Sequence, residues 1–170
     1  MPRLHVCSLS RVTETVRATG ARSLVTLINV DTLVSRPSEI DPRRHLFIGM
    51  SDISEPVHGH VLPAEQHVRK VIEFAKAWDR NEPIVIHCHA GVSRSTAAAF
   101  IIACALAPSR LEREIADAIR SASHTATPNR RMVAIADAML GRNGRMISAV
   151  ERIGRGSDCY EGVPFVLELA

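Results

Sequence analysis

Aromatic residues and lysines are scarce in this 170-residue sequence, whose only lysines are Lys70 and Lys76. Aromatic residues make up 4% of the chain, and no basic run is interleaved with them, so the pattern typical of nucleic-acid-binding surfaces is missing. The net charge is only +3, and its positive part comes almost entirely from arginine. We therefore expect no nucleic-acid partner, while the arginines indicate a weak preference for anionic ligands.

Long apolar runs are also missing. The longest run, residues 97–107, is far shorter than the ~20 residues that a membrane-spanning helix needs. The N-terminal segment lacks the apolar core of a signal peptide. The four cysteines contain no Cys-x-x-Cys pair, which argues against a disulfide scaffold or a zinc ribbon; they are Cys7, Cys88, Cys104 and Cys159. We therefore expect a reduced, cytoplasmic protein with no membrane partner.

The order of apolar segments predicts the fold class. With 46% hydrophobic and 23% charged residues, the chain is expected to form a single globular domain over residues 1–170. Strand-like segments at 4–7, 23–30, 45–50 and 84–87 alternate with helical segments at 11–19 and 63–78. Helical segments then follow at 95–107, 109–122, 127–141 and 144–153. This pattern predicts an α/β fold with a mostly parallel central sheet, helices on both faces and a helical C-terminal half.

Several residues at segment ends are typical of helix caps. Ser10 precedes the first helical segment, Ser109 begins a Ser-x-x-Glu capping box, and Thr127 stands before a proline. Glycines at 20 and 141 are predicted to end helices. In a parallel sheet, ligands bind beyond the carboxyl ends of the strands, which is where Cys88 and Asp52 are expected.

The stretch IVIHCHAGVSRSTAAAFI, residues 84–101, joins a buried strand to an apolar helix through a short loop. Gly91 allows the loop to turn its backbone N–H groups inward, and the helix N-terminus adds its positive end, so the loop forms a nest for a tetrahedral anion. Arg94 adds a planar fork that can hold two phosphoryl oxygens. The same field favours the thiolate of Cys88, which would lie beneath the phosphate as a nucleophile.

The segment HCHAGVSRSTAAA resembles the signature loop of cysteine-dependent protein tyrosine phosphatases, His-Cys-x5-Arg-Ser/Thr, and its Gly-x-Ser-Arg-Ser portion is most similar to the dual-specificity branch. The segments LVTLINV, IGMSD and PNRRMVAIADAML resemble further elements of that family, so the likeness covers roughly residues 20–140. It implies a protein-tyrosine-phosphatase-like fold and a phosphoric monoester hydrolase that needs no cofactor and no metal.

The resemblance also implies roles for individual residues. Cys88 would be the nucleophile, Arg94 the phosphate clamp, and Ser95 a hydroxyl that bonds the sulfur and helps to release it. His87 would organise the loop. Asn129 would brace the loop from behind, although capping its helix is an equally good account. The phosphate oxygens would be held by the backbone N–H groups of His89, Ala90, Gly91, Val92, Ser93 and Arg94.

A general acid must protonate the leaving oxygen. Asp79 stands before strand 84–87, at the wrong edge of the sheet, whereas Asp31 and Asp41 flank a proline-containing loop and could reach the site. Asp52 directly follows strand 45–50 and matches the family's acid position, although its interval to Cys88 is a few residues longer than usual. The stretch EPVHGHVLP would be the insertion that absorbs the difference. We expect Asp52 to be the acid, with Glu55 as the second choice.

The expected partner is a phosphorylated protein, phosphotyrosine first with dual specificity as an extension, acted on by a monomer. The loop contains no lysine, which argues against a phosphoinositide, but His89 and the arginines at 43, 44, 130 and 131 could supply charge at the mouth. Three other interpretations stay open. They are a metal site built on His58, His60, His87, Cys88 and His89, a thiol redox or sulfur-transfer enzyme, and a non-catalytic phosphate-binding module.

Overall fold

Five strands form one sheet in the computed structural model, which describes residues 1–170. The spatial order of the strands is β3-β2-β4-β1-β5. The first four pair in parallel, and β5 runs antiparallel to β1, so the predicted mostly parallel sheet is confirmed. The strands are β1 Arg3–Cys7, β2 Ser23–Ile28, β3 His45–Gly49, β4 Ile84–His87 and β5 Phe165–Glu168.

Six α-helices cover the two faces of this sheet, as the sequence predicts. They are α1 Val12–Thr19, α2 Glu65–Ala77, α3 Arg94–Leu106, α4 Glu112–Ala122, α5 Arg130–Met139 and α6 Arg145–Ile153. Two short 3₁₀ turns, Leu9–Arg11 and Pro42–Arg44, precede α1 and β3. No helix is both long enough and apolar enough to cross a bilayer.

The two faces carry cores of very different size. A core of 33 buried residues lies between the sheet and the five helices α2 to α6, whereas a core of 7 buried residues lies under α1 on the other face. Helix α3 is at the centre of the larger core and is buried on every side from Arg94 to Cys104, as its uniformly apolar sequence predicts. The helical face of α2 that ends at Trp78 is also buried.

Two of the predicted helix caps are wrong because the helices begin later than expected. Ser10 lies inside the 3₁₀ turn, and α1 starts at Val12. Ser109 does not form a capping box, since α4 starts at Glu112 and its N-cap residue is Leu111. Leu111 itself is 47% exposed. Both serines lie within a turn that redirects the chain before the helix begins.

The cap of α5 is also different from the prediction. Asn129 caps this helix, because its side chain accepts hydrogen bonds from the N–H groups of Arg131 and Met132. Thr127 is used elsewhere: its hydroxyl donates to the carbonyl of Thr125 and accepts the N–H of Gly156. The tertiary contact with the C-terminal segment therefore decides which of the two polar residues caps the helix.

The parallel strands place four chain segments at one edge of the sheet. Cys88 follows β4, Asn29 follows β2, Ser8 follows β1, and the segment from Met50 to Asp52 follows β3. Strands β2 and β3 end one or two residues earlier than the sequence predicts, so that Asn29 and Met50 already belong to this edge.

Candidate active site

The loop between β4 and α3 is held from outside by its carbonyl groups. Four of its carbonyl oxygens accept backbone N–H groups from segments that surround the loop. The pairs are His89 with Leu9 at 3.0 Å, Ala90 with Gly162 at 2.8 Å, Val92 with Thr127 at 2.9 Å and Ser93 with Asn129 at 3.2 Å. Because these carbonyls point outward, the N–H groups of the same peptide units are turned toward the interior of the loop.

The inward N–H groups form the predicted nest. By this argument they belong to Ala90, Gly91, Ser93 and Arg94. The N–H of Gly91 donates to the Cys88 sulfur, whereas those of Ala90 and Ser93 donate to no acceptor within the protein. The turn depends on Gly91, which has a φ of 71° and whose added Cβ would lie 2.8 Å from the carbonyl carbon of Cys7. Glycine is therefore required here both for the left-handed backbone and for the close approach. Such a concave set of free donors has the geometry suited to a tetrahedral anion.

Cys88 lies at the base of this nest, and its residue is 2% exposed. Its sulfur is 3.1 Å from the hydroxyl oxygen of Ser95 and accepts the N–H of Gly91 at 3.3 Å. Ser95 is fully buried in the first turn of α3. The structure thus brings together the predicted nucleophile and the predicted hydroxyl donor, seven residues apart in sequence.

Arg94 is buried and fixed by two partners that lie far from it in sequence. Its Nη1 donates to Asn29 Oδ1 at 2.7 Å and to the carbonyl of Met50 at 2.8 Å. Its Nε is buried and has no acceptor. An Nε–H held in a fixed orientation is one of the donors that a bidentate phosphate contact uses. Sequence reasoning missed Asn29, and its only signal is a polar side chain directly after a buried strand.

Asp52 is held against the rim of the same loop. Its Oδ1 accepts the Ser93 hydroxyl at 2.7 Å and the Asn129 side-chain amide at 3.0 Å, while its Oδ2 has no partner within the protein. The amide of Asn129 also donates to the carbonyl of Ile53 at 3.2 Å. Asn129 therefore has both of the functions considered for it: it caps α5, and it joins the signature loop to the segment that carries Asp52.

Two other candidate acids lie far from the site. Asp79 accepts a hydrogen bond from Arg44 at 2.6 Å, near the amino ends of β3 and β4. Asp41 precedes the 3₁₀ turn that leads into β3, so it too lies at the opposite edge, and the expectation that it could reach the site is wrong. Hydrogen bonds from Arg43 also lower the pKa of Asp41 to about 2, which makes it a poor proton donor near neutral pH.

The arginines expected at the mouth are mostly elsewhere. Arg43 and Arg44 lie with their acidic partners at the opposite edge, so they cannot line the mouth. Arg131 is near Asn129, but its Nε donates to the carbonyl of Pro63 at 2.6 Å. Arg130 is exposed at the start of α5. Asp31 and Glu55 are exposed, and neither forms a side-chain hydrogen bond within the protein.

A chain of hydrogen bonds lies under the nucleophile. The His87 Nδ1 is 2.9 Å from the carbonyl oxygen of Cys88, so it must carry the proton and donate it. The Thr26 hydroxyl is 2.8 Å from His87 Nε2 and 2.8 Å from His45 Nε2. Burial lowers the pKa of His87 to about 4, so this ring is neutral and its Nε2 accepts. The single hydroxyl proton of Thr26 therefore goes to His87, and His45 Nε2 donates to Thr26.

No group of three or more metal-ligating side chains comes together anywhere in the chain. His58 and His60 lie in an exposed connection, and His60 Nδ1 is 3.2 Å from the hydroxyl of Ser51. The metal-site interpretation therefore has no ligand cluster to support it. All four cysteines are free thiols, and the sequence contains no Cys-x-x-Cys pair.

Solved structures similar to this one are phosphatases and phosphatase-like proteins, and each shares the fold at low identity. The Cydia pomonella PTP-2 phosphatase is 19% identical with a TM-score of 0.62, over 79% of this chain and 84% of that one. The human tyrosine phosphatase-like serine/threonine/tyrosine-interacting protein is 15% identical with a TM-score of 0.65, over 84% and 94%. PTPMT1 in complex with PI(5)P is 14% identical with a TM-score of 0.60, over 88% and 91%.

No curated protein sequence matches this chain significantly. A protein-family model does match, and its description is "Tc-R-P: Polymorphic toxin system, DSP-PTPase phosphatase". The match covers residues 8–109, more than half of the chain, and includes the signature loop, Arg94 and Asp52. Together with the shared fold, it confirms the expected membership of the cysteine-dependent phosphatase superfamily near the dual-specificity branch. The chain therefore belongs to the Tc-R-P family of DSP-PTPase phosphatases from polymorphic toxin systems.

Proposed function

We propose that this phosphatase hydrolyses phosphate monoesters on proteins, phosphotyrosine first, through a cysteinyl-phosphate intermediate and without a cofactor. One observation carries the proposal. The Cys88 sulfur lies at the base of a nest of free N–H groups, with the Ser95 hydroxyl 3.1 Å away and the Arg94 guanidinium fixed beside it. This arrangement brings together a nucleophile, a set of donors that can hold the phosphoryl oxygens, and a hydroxyl that can stabilise the thiolate when it leaves phosphorus.

In the first step, the Cys88 thiolate attacks phosphorus, so that an S–P bond forms as the P–O bond to the substrate breaks. The inward N–H groups and Arg94 hold the three oxygens of the transferring phosphoryl group, where charge accumulates. The leaving oxygen takes a proton from Asp52, whose Oδ2 is free while its Oδ1 is held by Ser93. The products of this step are the dephosphorylated substrate and the cysteinyl phosphate.

In the second step, water attacks the phosphorus, and the S–P bond breaks. The Asp52 carboxylate formed in the first step accepts a proton from this water. The Ser95 hydroxyl, at hydrogen-bonding distance from the sulfur, stabilises the departing thiolate. Inorganic phosphate leaves, and both Cys88 and Asp52 return to their starting protonation states.

The charges around the site support a protein substrate over a polyphosphorylated head group. The signature loop contains no lysine, Arg131 is bonded to the carbonyl of Pro63, and the exposed carboxylates of Glu55 and Glu161 lie on segments near the loop. A head group with several phosphates needs several cations around its ring, whereas one phosphate monoester needs only the nest and Arg94. Because Cys88 must stay reduced, we propose that the protein acts in the cytoplasm of the cell in which it works. We also propose that it acts as a monomer.

Hydrolysis assays with three substrate classes test the proposal, each with a chelator present. We expect turnover of an electron-poor aryl phosphate and of phosphotyrosine peptides, slower turnover of phosphoserine peptides, and little release of phosphate from a phosphatidylinositol phosphate in mixed micelles. The variant Cys88→Ser should bind inorganic phosphate with no turnover of any substrate.

Three results would contradict this scheme. Preferred hydrolysis of the lipid would make the protein a phosphoinositide phosphatase. Binding of a phosphopeptide with no turnover by the unchanged protein would make it a phosphate-binding module. Turnover by Cys88→Ser would exclude the covalent intermediate.

A further inference from the structure

The segment that follows α6, residues 154–164, lies along the outside of the signature loop and beyond the part of the chain that matches the family model. Two backbone hydrogen bonds, at Ser157 and Gly162, fix this segment to the rest of the protein. The Ser157 N–H donates to the carbonyl of His124 at 2.9 Å, and the Gly162 N–H donates to the carbonyl of Ala90 at 2.8 Å. Residues 158–161 therefore form an arch, the C-terminal arch, between two fixed points.

Glycines make both fixed points possible. A Cβ on Gly156 would lie 2.5 Å from the carbonyl carbon of Thr125, and a Cβ on Gly162 would lie 3.0 Å from the carbonyl oxygen of Gly91. At neither position can a side chain be added unless the neighbouring backbone moves. The C-terminal arch is thus packed directly against the loop that carries Cys88, and its own side chains have a defined place relative to the phosphate site.

A cavity of about 280 Å³ lies between the C-terminal arch and the turn before α1. It opens beside the two residues that follow the nucleophile, His89 and Ala90. The other lining residues are Leu9, Ser10, Tyr160 and Glu161. Ligand pockets of whole small molecules are typically about 300–1,000 Å³, so this cavity has a size suited to one long side chain.

Glu161 gives this cavity a negative charge that is held in one place. The hydroxyls of Ser8 and Ser10 both donate to its Oε1, while its Oε2 has no partner and the carboxylate forms no ion pair. These hydrogen bonds, from Ser10 first and then from Ser8, lower the pKa of Glu161, so the group is ionised at neutral pH. Arg11 and His89 also act on this carboxylate through their charge, but Arg11 forms its own ion pair with Glu14 at 2.9 Å. A carboxylate without a direct ion pair next to an anion nest weakens phosphate binding unless a cation occupies the space beside it.

Tyr160 places an aromatic ring at the same cavity, and it is 94% exposed. A fixed carboxylate oxygen together with an aromatic ring recognises an ammonium or, better, a guanidinium group. A peptide that places its phosphotyrosine in the nest must continue past the rim of the loop, where this cavity opens.

We propose that the cavity beneath the C-terminal arch is a specificity subsite that accepts an arginine or lysine side chain near the phosphorylated residue of a protein substrate, with Glu161 as the residue that selects it. The proposal rests on the proposed protein phosphatase function and adds its sequence preference. Glu161 acts on binding of the flanking residue and takes no part in the chemical steps at phosphorus.

The test compares kcat/KM for matched phosphotyrosine peptides that have arginine, alanine or glutamate at each of the three positions on either side of the phosphotyrosine. We expect arginine to be favoured over alanine by roughly threefold to tenfold at one position, given the usual strength of exposed ion pairs and cation–π contacts. This preference should diminish in high salt. Glu161→Gln should remove the preference, and Glu161→Arg should reverse it in favour of glutamate.

Asp158→Asn is the matched control, because Asp158 is an exposed acid on the same arch whose carboxylate is paired with Arg155 at 2.6 Å. It should keep the full arginine preference. Each preference is a ratio within one variant, so altered folding or overall activity does not distort it. Hydrolysis of all peptides without an arginine preference, or an equal preference in Glu161→Gln, would overturn the subsite alone. Turnover of aryl phosphate with no turnover of any phosphopeptide would overturn the proposed function, and the subsite with it.

Discussion

Replacing Thr26 with valine removes one hydroxyl from beneath the nucleophile and leaves the side-chain volume nearly unchanged. The hydroxyl joins His45 and His87 through two contacts of 2.8 Å, and both Thr26 and His87 are fully buried. Without it, the buried Nε2 of His87 has no donor. An unsatisfied buried acceptor costs about 1–3 kcal/mol. In a domain of this size, the midpoint of thermal unfolding should therefore fall by roughly 2–12 °C.

The pH dependence of this loss distinguishes the hydrogen-bond chain from a simple packing defect. Folding lowers the pKa of His87 from 6.5 to about 4. The neutral, buried His87 ring therefore contributes fully to stability above pH 6.5, and this contribution is lost as the pH falls toward 4, because the unfolded chain then binds the proton more readily than the folded protein does. The Thr26 hydroxyl favours the neutral ring, so its removal should raise the folded-state pKa of His87. The free-energy difference between Thr26→Val and the unchanged protein should then be largest at neutral pH and smaller at pH 5.

Activity should follow the same contact. In Thr26→Val the proton of His87 can move to Nε2, and the carbonyl of Cys88 then loses its donor at 2.9 Å. Because a displacement of about 1 Å near the reacting atoms can reduce a rate by about 10²-fold, we expect a smaller shift to reduce kcat for aryl phosphate by roughly tenfold. Urea unfolding at pH 7.5 and pH 5, together with kcat, measures both effects.

Thr26→Ser is the matched control, since it keeps the hydroxyl and removes only a methyl group. It should retain most of kcat and the pH dependence of the unchanged protein. The reasoning is refuted if Thr26→Val has normal kcat, if its loss of stability is the same at both pH values, or if Thr26→Ser behaves like Thr26→Val.

Three further substitutions test the site itself. Arg94→Lys should reduce kcat/KM by about 10²- to 10³-fold, because an ammonium cannot make a bidentate contact; a loss below tenfold in steady-state assays would contradict the clamp. Asp52→Asn should slow hydrolysis of phosphotyrosine by about 10²- to 10⁴-fold, with the loss shrinking as the leaving phenol becomes more acidic. Asp31→Asn is its control, and the acid assignment fails if the control gives that pattern instead. Gly91→Ala should abolish turnover and lower the free energy of unfolding by more than about 2 kcal/mol, because its Cβ would lie 2.8 Å from the Cys7 backbone; normal unfolding in urea would be evidence against the required turn.

The phosphate nest could be predicted from the sequence because it is local. Cys88, Gly91, Arg94 and Ser95 lie within eight consecutive residues, between a strand and a helix that the apolar pattern already identifies. Backbone geometry alone brings such neighbours together once the strand and the helix form. The position of Asp52 after β3 also follows from the strand order of a parallel sheet, since all the carboxyl ends meet at one edge.

The residues that hold the nest in place could not be predicted, because they come from distant parts of the chain. Asn29 contacts Arg94 across 65 residues, and Thr26 contacts His87 across 61. Which side chains face each other depends on the register of β2 against β4, and the apolar pattern does not specify that register.

Tertiary contacts determine the conformation of the C-terminal part of the chain. The apolar tail, for which the sequence analysis predicts no strand, pairs with the edge of β1 that β4 leaves open, as an antiparallel strand. The preceding segment packs onto the signature loop through Gly156 and Gly162, and Thr127 bonds Gly156 while Asn129 caps α5. Local sequence thus determined the strand–loop–helix unit that can bind a phosphate. Only the folded chain determined what surrounds it, because contacts between distant segments depend on the packing of the whole sheet and not on the propensities of each segment.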